Sequence, residues 1–404
     1  MRVKTLIAAV AGLGLAASGA KAEFKGGTVK IGVLTDLSAT YSDFAGAGSI
    51  WAAKKAVEDY LKAKPGLKVE VISADHQNKP DIAANTARQW FDTEDVDVIV
   101  DLVTSSVALA VINVAKEKNK VALVSGAGSS DITGKACTPN SIHWTYDTFA
   151  LANATGSAVV KTGGDSWFFL TADYAFGQAL ERDTSAVVTK SGGKVLGSAK
   201  HPFPTQDFSS FLLQAQASKA KVIGLANAGA DTTNSIKQAA EFGIVQGGQT
   251  LAGLLVVLSD IHALGLKTAQ GLVLTESWYW DQNDANRAFG KAYAAANNGK
   301  EPNSIHAGVY SQVLHYLKAV DALQDDTDGA AVVAKMKELP TDDPLFGKGT
   351  VRADGRKIHD MYLFEVKKPE ESKGPYDYYK VRATIPAAEA FRPLADGNCP
   401  MVAK

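Results

Sequence analysis

Two short stretches of small and hydroxylic residues offer the first chemistry. In Asp97–Val111, DVIVDLVTSSVALAV, an apolar run through Val98, Ile99 and Val100 breaks at Thr104, Ser105 and Ser106 and resumes as a helix-compatible segment. Such a run suits a strand buried on both faces. The first N–H groups of a following helix have no partner inside it, and its peptide dipoles add partial positive charge there. Small hydroxyl side chains leave that end open to an anion or a carbonyl. Taken alone, a plain helix cap at Thr104 or Ser105 explains the turn better. A second stretch, Val121–Asp131 (VALVSGAGSSD), shifts the balance, because it too runs from a strand into small residues, among them Ala127 and Ser129. Two such turns on neighbouring parallel strands aim N–H and O–H groups at one crevice.

The second half of the chain offers partners for that crevice. Ala172–Gly177 (ADYAFG) follows a buried strand, and Tyr174 and Phe176 either wall a ligand or pack the strand end. One strand later, Asn227 brings a donor and an acceptor, and Asp231 a carboxylate that is equally readable as an N-cap. Trp278 and Tyr279, with Trp280, either line the cleft or pack a hinge. Catalytic constellations fare poorly. Asp75 and His76 are adjacent on a strand and point to opposite faces. Gly46-Ala47-Gly48 fails the dinucleotide fingerprint because Trp51 stands at the last glycine position. No G-x-S-x-G motif occurs.

These residues need a frame. Arg2 and Lys4, the apolar run Leu6–Ala17 and Ala20-Lys21-Ala22 read as a secretory leader cleaved after Ala22, covering residues 1–22. That run falls short of the ~20 apolar residues a membrane span needs. The mature chain is therefore expected to be exported and free of stable membrane insertion. Across 404 residues the formal charge is −1, which gives no reason to expect nucleic acid. CxxC and clustered Cys/His spacings are absent, so neither metal nor cofactor is expected. The two cysteines of an exported chain, Cys137 and Cys399, are expected to pair.

Strand and helix signals alternate from Thr28 to Ser125, pause at the polar, aromatic segment Cys137–Thr148, and start again. That rhythm predicts parallel sheets flanked by helices. The expected fold is α/β, with two doubly wound Rossmann-like lobes joined by a multi-strand hinge. Residues 27–143 plus 279–351 would form the first lobe, and 144–278 plus 352–385 the second. Residues 386–404 would be a tail packed back on the first lobe. Lobes of this kind close on a ligand by hinge motion.

Five segments carry a family resemblance: VKIGVLTDLSATYSDFAGAGSIWAAKKAVED, DVIVDLVTSS, VALVSGAGSSD, FLTADYAFGQAL and FSSFLLQAQASKAKVIGLANAG. Together they resemble the leucine/isoleucine/valine-binding proteins, type I periplasmic solute-binding proteins of ABC transporters. The resemblance covers nearly the whole mature chain. It implies a periplasmic location, a solute closed between the lobes, three hinge crossings, and delivery to an inner-membrane permease. By position it assigns ligand contacts to Thr104, Ser105, Ala127 and Ser129, aromatic contacts to Phe44, Phe176 and Tyr174, and later-strand walls to Asn227, Asp231 and Trp278 or Tyr279.

One departure matters. Amino-acid binders of that family hold the α-ammonium partly with an acid after a Gly-Pro pair, and the corresponding stretch here is Ala252-Gly253-Leu254-Leu255. A buried ammonium without a counter-charge costs several kcal/mol. The expected solute is therefore an organic or aromatic acid, or a small amide. Branched-chain amino acids stay open through Asp231. An exported enzyme and a ligand-sensing ectodomain are the competing classes, but the seven histidines are scattered and no second apolar span is present.

Overall fold

The computed structural model describes Phe24 and residues 27–403. The expected leader and its cleavage point lie outside the described residues. The first lobe is built on a parallel sheet of β1 (Val29–Thr35), β2 (Val69–Asp75), β3 (Val98–Asp101), β4 (Val121–Val124) and β5 (Ser141–His143), in the order β2-β1-β3-β4-β5. Strand β3 is buried along its whole length, as its apolar run requires of a central strand with both faces covered. The helix Ser105–Glu117 buries Val107, Ala108, Val111, Ile112, Val114 and Ala115, a stripe at helical spacing.

The second lobe repeats the plan with β6 (Ser166–Ala172), β7 (Lys194–His201), β8 (Val222–Ala226) and β9 (Thr250–Gly253), in the parallel order β7-β6-β8-β9. Beside it lies an antiparallel sheet in which β14 (Met361–Val366) pairs with both β10 (Val273–Glu276) and β15 (Tyr379–Ile385). A small antiparallel sheet of β11 (Thr341–Asp343), β12 (Gly347–Val351) and β13 (Lys357–Ile358) precedes it. The turn at Asp354-Gly355 joins β12 to β13, and a short break separates β13 from β14. The reason is local: His359, between the two pieces, turns its ring to the Thr145 carbonyl, 2.7 Å away.

The hinge is tied crosswise. Arg356 is fully buried and donates to the carbonyls of Trp144 (2.9 Å) and Tyr146 (3.0 Å) on the first crossing. At the second crossing the Ser304 hydroxyl donates to Glu276 at 2.5 Å. Cys137 and Cys399 form the expected disulfide. The tail touches both lobes, since Asn153 donates to the Glu389 carbonyl and Arg392 to the Ser130 carbonyl. Among the described residues, no helix is long and apolar enough to cross a membrane.

Candidate functional site

The carboxyl ends of β3, β4, β6 and β8 face each other across the gap between the lobes. After β3 the chain takes two consecutive left-handed residues, Asp101 (φ 81°) and Leu102 (φ 56°), before Thr104 starts the helix. Non-glycine residues in that region are strained, and such strain gathers at ligand clamps. Burial pushes the Asp101 carboxyl up to about 7, opposed by the hydroxyls of Thr35, Ser49 and Ser125. Thr104 occupies the N-cap position without capping the helix; its hydroxyl donates instead to Asn78 at 2.5 Å. The first turn of that helix therefore keeps its N–H groups free of a side-chain cap.

Around this turn is a narrow, partly open chamber with about 10 Å³ of free volume. Phe44, Ser105, Tyr174 and Phe176 line it, so the structure brings together four of the residues singled out from sequence. Ala127 and Ser129 are buried in the adjoining turn. The Ser129 amide donates to Ser105 Oγ at 3.0 Å, and the Ala127 carbonyl lies 2.6 Å from His143 Nε2. Gly128 also lines the chamber, and a Cβ there would come within 2.8 Å of the Phe176 ring and 3.0 Å of Tyr146. Only glycine permits so close an approach.

Asn227 and Asp231 lie behind the chamber wall. Asn227 accepts from the Thr232 hydroxyl at 2.7 Å and faces His201 at 3.3 Å. Asp231 accepts from the Thr205 amide through Oδ1 (3.0 Å), while Oδ2 has no hydrogen-bond partner and stands 3.6 Å from His201 Nδ1. Burial raises Asp231 to about 7 and lowers His201, so the pair favours its neutral form. Trp278 and Tyr279 stand apart from this chamber. Trp278 packs edge-on to Phe289 in the first lobe's core, and Tyr279 packs against Phe364 and Tyr379 in the second. Neighbouring residues on an extended crossing point opposite ways, and each of these enters a different core.

Three aromatic residues escaped the sequence reading of the site. Tyr41 Oη lies 2.8 Å from Tyr174 Oη across the gap between the lobes. Phe203 stacks on Tyr174 at 4.4 Å and on Tyr41 at 5.6 Å. Tyr146, on the first crossing, lines the chamber and donates to the Gly126 carbonyl at 2.5 Å. The aromatic character of Cys137–Thr148 was the one available signal for Tyr146. Nothing in the sequence pairs Tyr41 with Phe203.

The chamber lies between two lobes, each built on a parallel sheet. A family model described as periplasmic binding protein matches residues 28–375. The chain belongs to the periplasmic binding protein family. It is similar to a periplasmic binding protein from Burkholderia mallei, with 53% identity, a TM-score of 0.90, and coverage of 93% of this chain and 99% of that one. A structure from Burkholderia xenovorans, described as a branched-chain amino acid ABC transporter periplasmic ligand-binding protein, shares 41% identity at a TM-score of 0.82, covering 93% and 100%. A Leu/Ile/Val-binding protein homolog of Brucella melitensis biotype 1 is 28% identical over 91% of this chain and 94% of its own length. The two-lobed α/β frame and the type I class expected from the residues are those of these relatives. As a periplasmic solute-binding protein of an ABC transporter, the molecule captures a small organic solute between its lobes for delivery to a permease.

Proposed function

We propose that the solute enters with an acidic or amide oxygen toward the first lobe and an apolar or aromatic body toward the second. The supporting observation is the uncapped start of the helix Ser105–Glu117 at the chamber, facing Tyr174 and Phe176. An uncapped helix start favours a carboxylate or a carbonyl, and aromatic rings favour a flat or branched apolar body. On this reading Ser105 and the backbone at Gly126 and Gly128 hold the polar end. Phe44, Tyr174 and Phe176 cover the rest, with Thr104, Ala127 and Ser129 shaping the turns behind. Organic or aromatic acids and small amides fit this arrangement. Asp231, with its free Oδ2, supports a second reading in which a branched-chain amino acid binds with its ammonium toward that carboxylate.

The protein would release its solute unchanged, after export to the periplasm and leader cleavage at Ala22. A thermal-shift panel of organic acids, amides and branched-chain amino acids tests the ligand class. A true ligand present at about 100 Kd stabilises the fold by roughly 2.7 kcal/mol. Stabilisation by leucine and by no organic acid would overturn the preferred class. Turnover of a bound solute, read by mass spectrometry, would overturn the claim of unchanged release.

A further inference from the structure

A second, larger cavity of about 260 Å³ opens between the lobes on the far side of Phe44, which lines both spaces. Tyr41 and Gly229 form part of the partition, since a Cβ on Gly229 (φ 60°) would lie 3.1 Å from the Tyr41 ring. Both lobes line this outer chamber: Asp43, Tyr293 and Glu301 from the first, Asp260, His262 and Tyr376 from the second. We propose that the outer chamber is a subsite for an organic ammonium group, held by Asp260 and Glu301. The captured solute would then be elongated, with its polar oxygen end in the inner chamber and its cationic end in the outer one. This inference rests on the interlobe-capture reading above.

Asp260 is 5% exposed and lines the cavity, with Oδ2 accepting from the Val257 amide at 3.0 Å. Its other oxygen has no hydrogen-bond partner among the described residues. Glu301 also lines the cavity, and its Oε2 is buried beside Gly290 without a hydrogen-bond partner. Burial raises both carboxyls, Asp260 to about 7, and Asp260 in turn helps to raise the buried Glu276. The cations nearby do not relieve this. Lys300 is spent on Asp43 at 3.1 Å. His306 is held neutral by burial, near 4, and faces the Ala45 carbonyl. His262 stacks on Tyr376 at 4.3 Å and meets Tyr378 Oη at 2.8 Å.

Carboxyls lacking a counter-ion beside the rings of Phe44, Tyr293 and Tyr376 are what an organic cation needs, through charge and through the ring faces. Among the described residues no group of three or more metal-ligating side chains is poised to hold a metal ion. The missing acid at Ala252–Leu255 acquires a sense from this arrangement: the counter-charge is moved outward to a different wall of the same cleft.

The test is titration calorimetry on ligand-stripped mature protein with matched probes: 5-aminopentanoate against pentanoate, and 4-(aminomethyl)benzoate against 4-methylbenzoate. At least one ammonium probe should bind ten times more tightly than its partner, and lose that advantage in the double variant Asp260→Asn with Glu301→Gln. The partner's affinity should not change. Because burial raises both carboxyls, their neutral replacements should melt no lower than the wild type, which the unliganded melting temperature checks. No ammonium advantage in either pair, or an advantage that survives the double variant, overturns the subsite. If acids bind with no ammonium advantage, the subsite falls and interlobe capture stands. If no probe binds and mass spectrometry finds no solute carried by the purified protein, both fall.

Discussion

The inner and outer chambers share one wall, Phe44, yet charged side chains line only the outer one. The inner one meets the uncapped starts of the helices Ser105–Glu117 and Ala175–Lys190, together with glycine and hydroxyl. Of the helices that begin at the outer one, Ser304–Leu323 and Leu258–Leu264 have capped starts, by Asn303 and by Asp260, while Ala230–Glu241 starts at Gly229 without a side-chain cap. Where caps are missing, the free N–H groups favour negative charge; where a carboxyl has taken the cap, the remaining field favours positive charge. Bare helix starts occur at both chambers, so the contrast is set by the carboxyls of Asp43, Asp260 and Glu301, which line only the outer one.

Five substitutions, one of them a control, would break or sharpen that contrast. Gly128→Val should have the largest effect, because the added branch collides with Phe176 and Tyr146 and wedges the lobes apart. The affinity for the solute carried by the purified protein should fall by about 100-fold or more, a loss of about 2.7 kcal/mol, measured by calorimetry. An unchanged affinity would remove the inner chamber from the binding site.

Glu276→Gln addresses the acids of the second lobe. The wild-type carboxyl is raised by burial to about 8, opposed by the Ser304 hydroxyl. The folded form therefore keeps a proton that the unfolded chain has lost, and wild-type stability declines as pH rises from about 4.5 toward 8. The variant has no such proton. Its stability relative to wild type should climb across that window by at most a few kcal/mol, at about 1.4 kcal/mol per unit, and then level off. Urea melts at pH 5 and pH 8 read this difference, and a pH-independent gap would refute it.

Ser105→Ala removes the hydroxyl that accepts from the Ser129 amide and faces the inner chamber. A drop in affinity of roughly tenfold is expected, in line with about 1–1.5 kcal/mol for one buried hydrogen bond. Thr104→Val is the control, since its hydroxyl is committed to Asn78. It should cost about 1 kcal/mol of stability or less and change affinity little. Equal affinity losses in the two variants would mean that both hydroxyls reach the solute. Smallest of all, Tyr41→Phe removes one partner of the tyrosine pair across the lobes, and should weaken affinity about two- to fivefold, within the net worth of a hydrogen bond.

Parts of this architecture were legible before any coordinates. The buried run Val98–Val100 could only be a central strand, and the small residues after it could only be a turn of the kind seen at Thr104 and Ser105. The cysteine pair followed from its number and its compartment. Other parts were closed to that reading. The helix Gly329–Glu338 went unread, as did the helix Leu258–Leu264, whose start follows directly on the apolar Leu254–Val257.

What the amino-acid order determined by itself was local: periodicity set strand and helix, and the small residues set where the turns leave backbone exposed. What only the tertiary structure decided was convergence. Tyr41, Tyr146, Tyr174 and Phe203 meet because two lobes close on one another, with Arg356 bonding the first hinge crossing to the third. Trp278 and Tyr279, adjacent in sequence, part company because the chain there runs between two cores that each take one ring. Hydrophobic periodicity acts over a few residues, whereas the cleft depends on contacts between segments more than a hundred residues apart, such as Tyr41 with Tyr174. No local pattern encodes that distance.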